Sequence, residues 1–367
     1  MKKVAYVGVD YHMNSLSIAV VVEGEKRIHQ MIRLANDDKV IAKYFKKLSA
    51  EFEIRACYEA SCSGYAFQRK MKNWGYACEV IAPALIPRKA GNRRKNDFRD
   101  ARDLAQNYAA GLLSVVHPPT EKEEAVRSLI RCRISLKDSA KNAKYQINSL
   151  LLSQGIRWGR SKWTFAHRKW LAELQLPDAI MQKVLMEHIE HLYYLETRIA
   201  HLDHDIEEMA RSEIYAPSVK KLRAFKGIGT LAAMVLIAEI TDFRRFGSAG
   251  ALMAFLGLTP SENSSGDKQI SGAITKTGNR RCRTQLVEAV QHYVRSPHIS
   301  LKMKADLEHV DASTANTAIK CLKRLNKRFW ALTARGKTRH VAITAIAREF
   351  AGFIWAVMQS EPVAKAA

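Results

Sequence analysis

Two hydrophobic periods follow one another along the chain, and the switch between them divides it. Up to about residue 117, short β-branched and aliphatic runs are separated by turns and amphipathic stretches. Val4-Ala5-Tyr6-Val7-Gly8-Val9-Asp10, a turn through Met13-Asn14-Ser15, and Leu16-Ser17-Ile18-Ala19-Val20-Val21-Val22 predict a hairpin. A third strand around Arg27 to Arg33, a helix from about Asp37 to Leu48, a strand Ile54 to Tyr58, a helix after Ser63 and a strand Ala77 to Ile81 extend it into a mixed α/β layer.

From Glu121 the strand signals stop and apolar residues recur in threes and fours. Val126, Leu129, Ile130, Ile134 and Leu136, then Ile147, Leu150 and Leu151, predict one long helix. A second runs from about Pro177 to Ile214 on Ile180, Val184, Leu185, Ile189, Leu192, Leu195, Ile199, Leu202, Ile206 and Met209, in the spacing of an antiparallel hairpin or coiled coil. Such a pair serves as a spacer or dimer arm, or only packs on its own domain. A third region opens with Phe225-Lys226-Gly227-Ile228-Gly229-Thr230 and a helix Leu231 to Ile240. Its Gly-x-Gly, with Lys226, Gly227 and Gly229, suits a helix-hairpin-helix that holds a phosphate on backbone N–H groups, and equally a plain turn between helices. A loop carrying Ser264 and Ser265, a helix from about Arg280 to Tyr293 and a basic helical tail closing with Val341 to Met358 follow. The expected domains are 1–117, 118–216 and 217–367.

Three antiparallel strands followed by βαβ units are the pattern of an RNase H/RuvC-like domain, although other α/β folds share it. The expected architecture is therefore α/β plus α, with that N-terminal domain, a helical coiled-coil spacer and a mostly helical C-terminal domain.

Charge changes the picture. The chain carries 59 Lys+Arg against 36 Asp+Glu, a formal charge of +23, which suits a polyanionic partner. Between Asp311 and Glu349 lie nine Lys/Arg, among them Lys323, Arg324, Lys327 and Arg328, and no acid. Arg88, Lys89, Arg93, Arg94 and Lys95 form another run. No segment reaches the roughly 18 uninterrupted apolar residues of a membrane span. Met1-Lys2-Lys3 leads straight into a strand-like run, so the expected location is cytoplasmic. The six cysteines show no C-x-x-C pair, which argues against zinc and against a disulfide framework.

Within this basic chain four acids stand out. Asp10 ends a hydrophobic strand, Glu59 directly follows another, and Asp97 and Asp100 share one face at the start of a helix. If the strands and helix converge, four carboxylates meet, an oxygen set suited to Mg²⁺ or Mn²⁺ and to phosphodiester transfer. First-turn acids also suit the helix dipole, Glu59 also suits a surface turn, and Asp103, six residues after Asp97, is a nearby decoy. The serine loop, in turn, sets a hydroxyl just before a basic, turn-rich segment in which Lys276, Arg280, Arg281 and Arg283 are candidate phosphate clamps.

Together these motifs resemble the bridge-RNA-guided insertion-sequence transposases, also called DEDD transposases or serine-dependent DNA recombinases. The resemblance rests on Gly8-Val9-Asp10, Tyr58-Glu59-Ala60 and Lys95-Asn96-Asp97-Phe98-Arg99-Asp100. It continues in Phe225 to Gly229, Phe243-Arg244-Arg245-Phe246, Gly257-Leu258-Thr259-Pro260 through Ser265-Gly266, and Ile274 to Asn279. Asn96 departs from the family's usual Thr, and either residue caps a helix. The resemblance implies metal binding by Asp10, Glu59, Asp97 and Asp100 and a nucleophilic Ser265, with Ser264 as the alternative. It also implies donor and target DNA, a non-coding bridge RNA and a homo-oligomer as partners. Two other classes fit parts of the sequence. A Holliday-junction nuclease needs only the carboxylates and water, and a non-catalytic nucleic-acid-binding protein needs only the charge.

Overall fold

The structure, a computed structural model, describes residues 2–25, 27–60, 64–87, 97–262 and 271–359. The chain divides into two compact units, Met1–Pro118 and Pro119–Ala367.

The first unit is built on β1 (Val4–Tyr11), β2 (Ser15–Val22), β3 (Gln30–Ala35), α1 (Asp38–Glu51), β4 (Glu53–Glu59), α2 (Ala66–Asn73), β5 (Ala77–Ile81), α3 (Asp97–Ala109) and β6 (Val115–Val116). The sheet order is β3-β2-β1-β4-β5-β6. The β1–β2–β3 meander is antiparallel, β4 and β5 run parallel to β1, and β6 closes the edge antiparallel. Alternation then sorts the side chains. Val7, Val9, Ile18, Val20, Ile54 and Tyr58 pack with Ile41 and Phe45 of α1 and Phe67 and Met71 of α2. The intervening residues face α3, where Ala19 and Val21 meet Ala101 and Ala105, and Cys57 and Ile81 meet Leu104. β3 starts at Gln30 opposite Val20 and not at Arg27, because the chain first turns through Gly24 (φ 84°) and returns to the sheet at His29, whose N–H donates to Val20 O.

The second unit contains α4 (Glu121–Ser153), α5 (Phe165–Glu173), α6 (Ala179–Arg211), α7 (Ala216–Arg223), α8 (Thr230–Ile240), α9 (Ala249–Phe255), β7 (Pro260–Glu262), β8 (Ser271–Ile274), α10 (Arg280–Val290), α11 (Leu301–Leu307), α12 (Ala312–Ala334) and α13 (Arg339–Met358). α4 starts on a capping box between Thr120 and Glu123. It pairs along its length with α6, and the pair serves two separate cores. Ile130, Ile206 and Ala210 join α8, α10, α12 and α13, whereas Ala140, Ala143, Ile147, Leu185, Leu192 and Ile199 form a distal core with Leu171 of α5. α13 is long and apolar enough to cross a membrane by composition. Here Ile343, Ile346, Phe350 and Ile354 are buried in the larger core.

The distal core ends in an aromatic cluster around His167. The ring is fully buried and lies 5.1 to 5.6 Å, centroid to centroid, from Trp158, Trp163 and Trp170. Its Nδ1 accepts the Trp163 N–H at 3.2 Å, so Nε2 carries the proton, and Nε2 has no partner among the described residues. Burial, with Lys162 and Arg168 adding to it, holds the imidazole pKa below its ordinary 6.5. A ring that resists protonation when folded favours folding above the unfolded value, and this contribution is lost as pH falls below about 6.5. Tryptophan-detected melts are therefore expected to show the distal transition moving to lower temperature between about pH 8 and about pH 5. In His167→Phe the shift should be much smaller, and an equal shift in both proteins would remove His167 as the cause.

Candidate active site

Strand register places the acids of the first unit. Asp10 pairs with Ser17 of β2, and Ser17 with Arg33 of β3, so Arg33, Ser17 and Asp10 form one row across the sheet on the α3 side. On the other flank of β1, Val9 pairs with Tyr58, which puts Glu59 at the next position of parallel β4, in the same alternation as Cys57 and so on the same side. α3 crosses this face with Asp97 and Asp100 in its first turn and Ala101, Leu104 and Ala105 buried behind them. The approach is close because β1 has glycine at the crossing: a Cβ on Gly8 would collide with Ala101 O and Ala105 N, and lie 3.0 Å from Ala105 Cα.

Asp10 and Asp97 are thereby brought together, with Asp100 one turn further along α3 and within electrostatic reach of Asp10. Asp10 and Asp97 sit within 4.8 Å of one another through single oxygens, with His12 as a third donor. His12 Nε2 lies 3.0 Å from Asp10 Oδ2 and 3.7 Å from Asp97 Oδ1, and Arg33 Nη2 donates to Asp97 Oδ2 at 2.8 Å. Burial pushes the Asp10 pKa up; the hydrogen bond and charge of His12 oppose this, and the charges of Asp97 and Asp100 add to it. Asp103 faces elsewhere and binds Arg102 at 3.0 Å. His12, Arg33 and Ser17 carry no sequence motif of their own. Ser17 is only 1% exposed and its hydroxyl is without a partner among the described residues. The donor set of two carboxylates and an imidazole, beside a buried hydroxyl in the same sheet row, fits a hydrated divalent cation.

The second unit carries the other motifs. Ser264 and Ser265 lie outside the described residues, as do Asn96 and the run Arg88 to Lys95. The strands flanking the serine loop are fixed at their base. Thr275 N–H donates to Thr259 O at 2.9 Å and Lys276 N–H to Gly257 O at 3.1 Å, with Lys276 at φ 57°. Gly278 packs on Phe255 O so closely that any Cβ would collide with it. Asn279 caps α10, its Oδ1 accepting the Cys282 N–H at 3.0 Å. Arg283 turns inward, donating to Leu256 O at 2.8 Å and Gly278 O at 3.4 Å, whereas Lys276, Arg280 and Arg281 are exposed.

At the Gly-x-Gly, Gly227 (φ 89°) faces Ala289 O of α10, which a Cβ would strike, and Gly229 precedes α8 with open space around it. Lys226 Nζ donates to His298 O at 3.2 Å. Lys320, Lys323, Arg324, Lys327 and Arg328 line an open groove along α12, where Arg324 and Arg328 both bind Glu349, at 3.1 and 3.2 Å.

Two transposase family patterns match the chain, the first of them running past the boundary of the first unit into α4. Residues 7–155 match the transposase family described as DEDD_Tnp_IS110, and residues 219–304 match the transposase IS116/IS110/IS902 family. A transposase of Sinorhizobium fredii designated y4qE is 36% identical over 96% of this chain and 88% of its own length. The transposase for insertion sequence element IS1533 of Leptospira borgpetersenii is 34% identical over 66% of this chain and 72% of its own. The transposase for insertion sequence element IS1111A of Coxiella burnetii is 24% identical over 92% of each. With acids gathered on the α3 face and both sequence patterns in order, the chain belongs to the IS110/IS116/IS902 family of insertion-sequence transposases.

Proposed function

We propose that this transposase cuts and rejoins donor and target DNA by serine chemistry supported by a divalent cation, Mg²⁺ or Mn²⁺, and directed by a bridge RNA. The observation that carries the metal part is the approach of Asp10, His12 and Asp97 to within 4.8 Å of one another, with Asp100 one turn along α3 and Glu59 at the adjoining strand position. The sheet order, with its antiparallel meander and two parallel strands, supports an RNase H/RuvC-like reading of this unit. Asp10, Glu59, Asp97 and Asp100 would hold the ion, with His12 as an added nitrogen donor that favours Mn²⁺ over Mg²⁺. When bound, the cation supplies Lewis-acid stabilisation of charge on the phosphate.

The chain's own steps balance without ATP. The Ser265 Oγ–P bond forms as the P–O3′ bond breaks, and the serine proton ends on the departing 3′ oxygen. Strand exchange and reversal of the same step rejoin the DNA. Lys276, Arg280 and Arg281 sit after the hairpin in position to contact the backbone, and Lys323 and Lys327 extend the basic surface along α12. The 118–216 region serves as the spacer between the N- and C-terminal domains and as the arm of a homo-oligomer, and the protein acts in the cytoplasm on nucleoid DNA.

The test is trapping of a covalent protein–DNA adduct. Ser265→Ala is expected to abolish adduct and recombination while DNA and RNA binding persist. An undiminished adduct would move the nucleophile to Ser264 or elsewhere, and metal-dependent cleavage without any adduct would favour a nuclease.

A further inference from the structure

After Thr230, α8 is apolar except for Glu239 in its last turn, whose side chain is 1% exposed. A carboxylate there is poorly placed on two counts. It loses its hydration, and it sits at the helix end where the backbone dipole is already negative. An apolar residue of similar volume would serve the core at least as well, so the reason for Glu239 lies in what it holds. Arg131 of α4 grips it with a fork, Nε to Oε1 and Nη2 to Oε2, each at 2.8 Å. Asn279 Nδ2 donates to Oε2 at 2.8 Å, and Arg281 Nε stands 3.9 Å from Oε1. Arg127, one turn before Arg131, donates to Ala238 O at 2.9 Å. Burial would raise the Glu239 pKa, but the hydrogen bonds of Arg131 and Asn279 and the charges of Arg131 and Arg127 hold it below the ordinary carboxylate value. Just beyond, Thr241 is forced to φ 62°, ψ −80°, near the rare γ-turn that costs a β-branched residue strain.

Arg131 and Arg281 therefore meet on one carboxylate, and the charge of Arg127 acts on it from the turn before. Arg131 on α4 and Arg281 in the first turn of α10 remain 43% and 44% exposed. A guanidinium fixed from below by a buried anion has already lost its rotamer freedom, which favours oriented recognition of a phosphodiester over diffuse attraction.

We propose that Arg131 and Arg281 form a phosphodiester-binding pair and that Glu239 is the positioning residue that orients them. This deepens the reading of the second unit as the DNA-joining part and rests on that reading. The sign of one effect separates it from a bystander role. Removing an acid from a DNA-binding surface should strengthen binding by simple electrostatics, whereas removing a positioning acid should weaken it.

The experiment is a salt titration of binding to a random-sequence duplex DNA by the full-length protein. Arg131→Ala and Arg281→Gln should each lower the log–log slope by about 0.9, the loss of one phosphate contact. Glu239→Gln should lower both affinity and slope, and its combination with Arg281→Gln should cost less than the sum of the two. Arg281→Gln touches the exposed, more distant partner and keeps the question answerable if the Glu239 variant fails to fold. Unchanged slopes in folded Arg131 and Arg281 variants would overturn the pair, and tighter binding by folded Glu239→Gln would overturn the positioning role. Ser265→Ala should keep the wild-type slope, so failure of the serine chemistry shows in the adduct and failure of this inference shows in the slope.

Discussion

Asp10→Asn is expected to reduce metal-dependent strand cleavage by about 10³-fold or more while leaving the metal-free protein at least as stable as the wild type. The loss follows from removing one carboxylate from the centre of the donor set, where several kcal/mol of charge stabilisation is at stake, and about 4 kcal/mol corresponds to 10³ in rate. The stability effect runs the other way. Asp10 is pushed above its ordinary pKa, first by burial and then by Asp97 and Asp100. A carboxyl raised on folding favours the folded state below its unfolded value of 3.8, and that contribution is lost as pH rises through the folded pKa. At neutral pH its ionised form thus opposes folding, and asparagine removes that opposition while keeping the shape. Cleavage rate and melting temperature, measured on the same preparation without and with Mn²⁺, check both halves. Full cleavage by Asp10→Asn, or equal activity of the wild type in excess EDTA, would reject the metal site.

Gly8→Ala should be the most damaging single-methyl change in the first unit, at a cost of about 3 kcal/mol or more. The added carbon meets backbone atoms of α3, Ala101 O and Ala105 N, which have no rotamer by which to move aside. The helix must shift as a body. Since α3 carries Asp97 and Asp100 on the turn before Ala101, the same displacement separates them from Asp10. A drop in the denaturation midpoint accompanied by weaker Mn²⁺ binding is the expected pair of results. An unchanged midpoint would mean that the crossing is looser than the structure shows. Ala19, opposite Gly8 in the β1–β2 ladder and buried against α3, offers a control position on the same crossing.

Much of this was legible in the residue pattern. Uninterrupted aliphatic runs in β1, β2 and β4 fix strands by themselves, and the sustained spacing of threes and fours in α4 and α6 fixes long helices. The i, i+3 spacing of Asp97 and Asp100 puts both on one face before any coordinates are known. Other parts gave no signal. α5, α7, α9 and α11 span at most nine residues, too few turns for a helical period to emerge. His12 lies two residues after Asp10 but forms no motif with it, and Arg33 joins the acids only through strand register, which depends on a loop whose length is set by the turn at Gly24 and not by alternation. Glu239 carries no sequence motif; its partners come from α4 and the N-cap of α10, far away in sequence.

The division of the α4–α6 pair between two cores has a consequence for reach. Each helix has 33 residues, about 50 Å of rise. One end is locked into the larger core through Ile130, Ile206 and Ala210, while the other carries its own tryptophan-capped core. The two cores adjoin along the pair, with Ile134 on the larger and Leu136 on the distal one, so the length of the distal part sets how far the tip reaches. Removing one matched heptad from each helix within the distal core would bring the tip inward by about 10 Å and leave the anchorage in the larger core intact. The span available to this transposase is thus a quantity that drift in sequence length can tune independently of its chemistry.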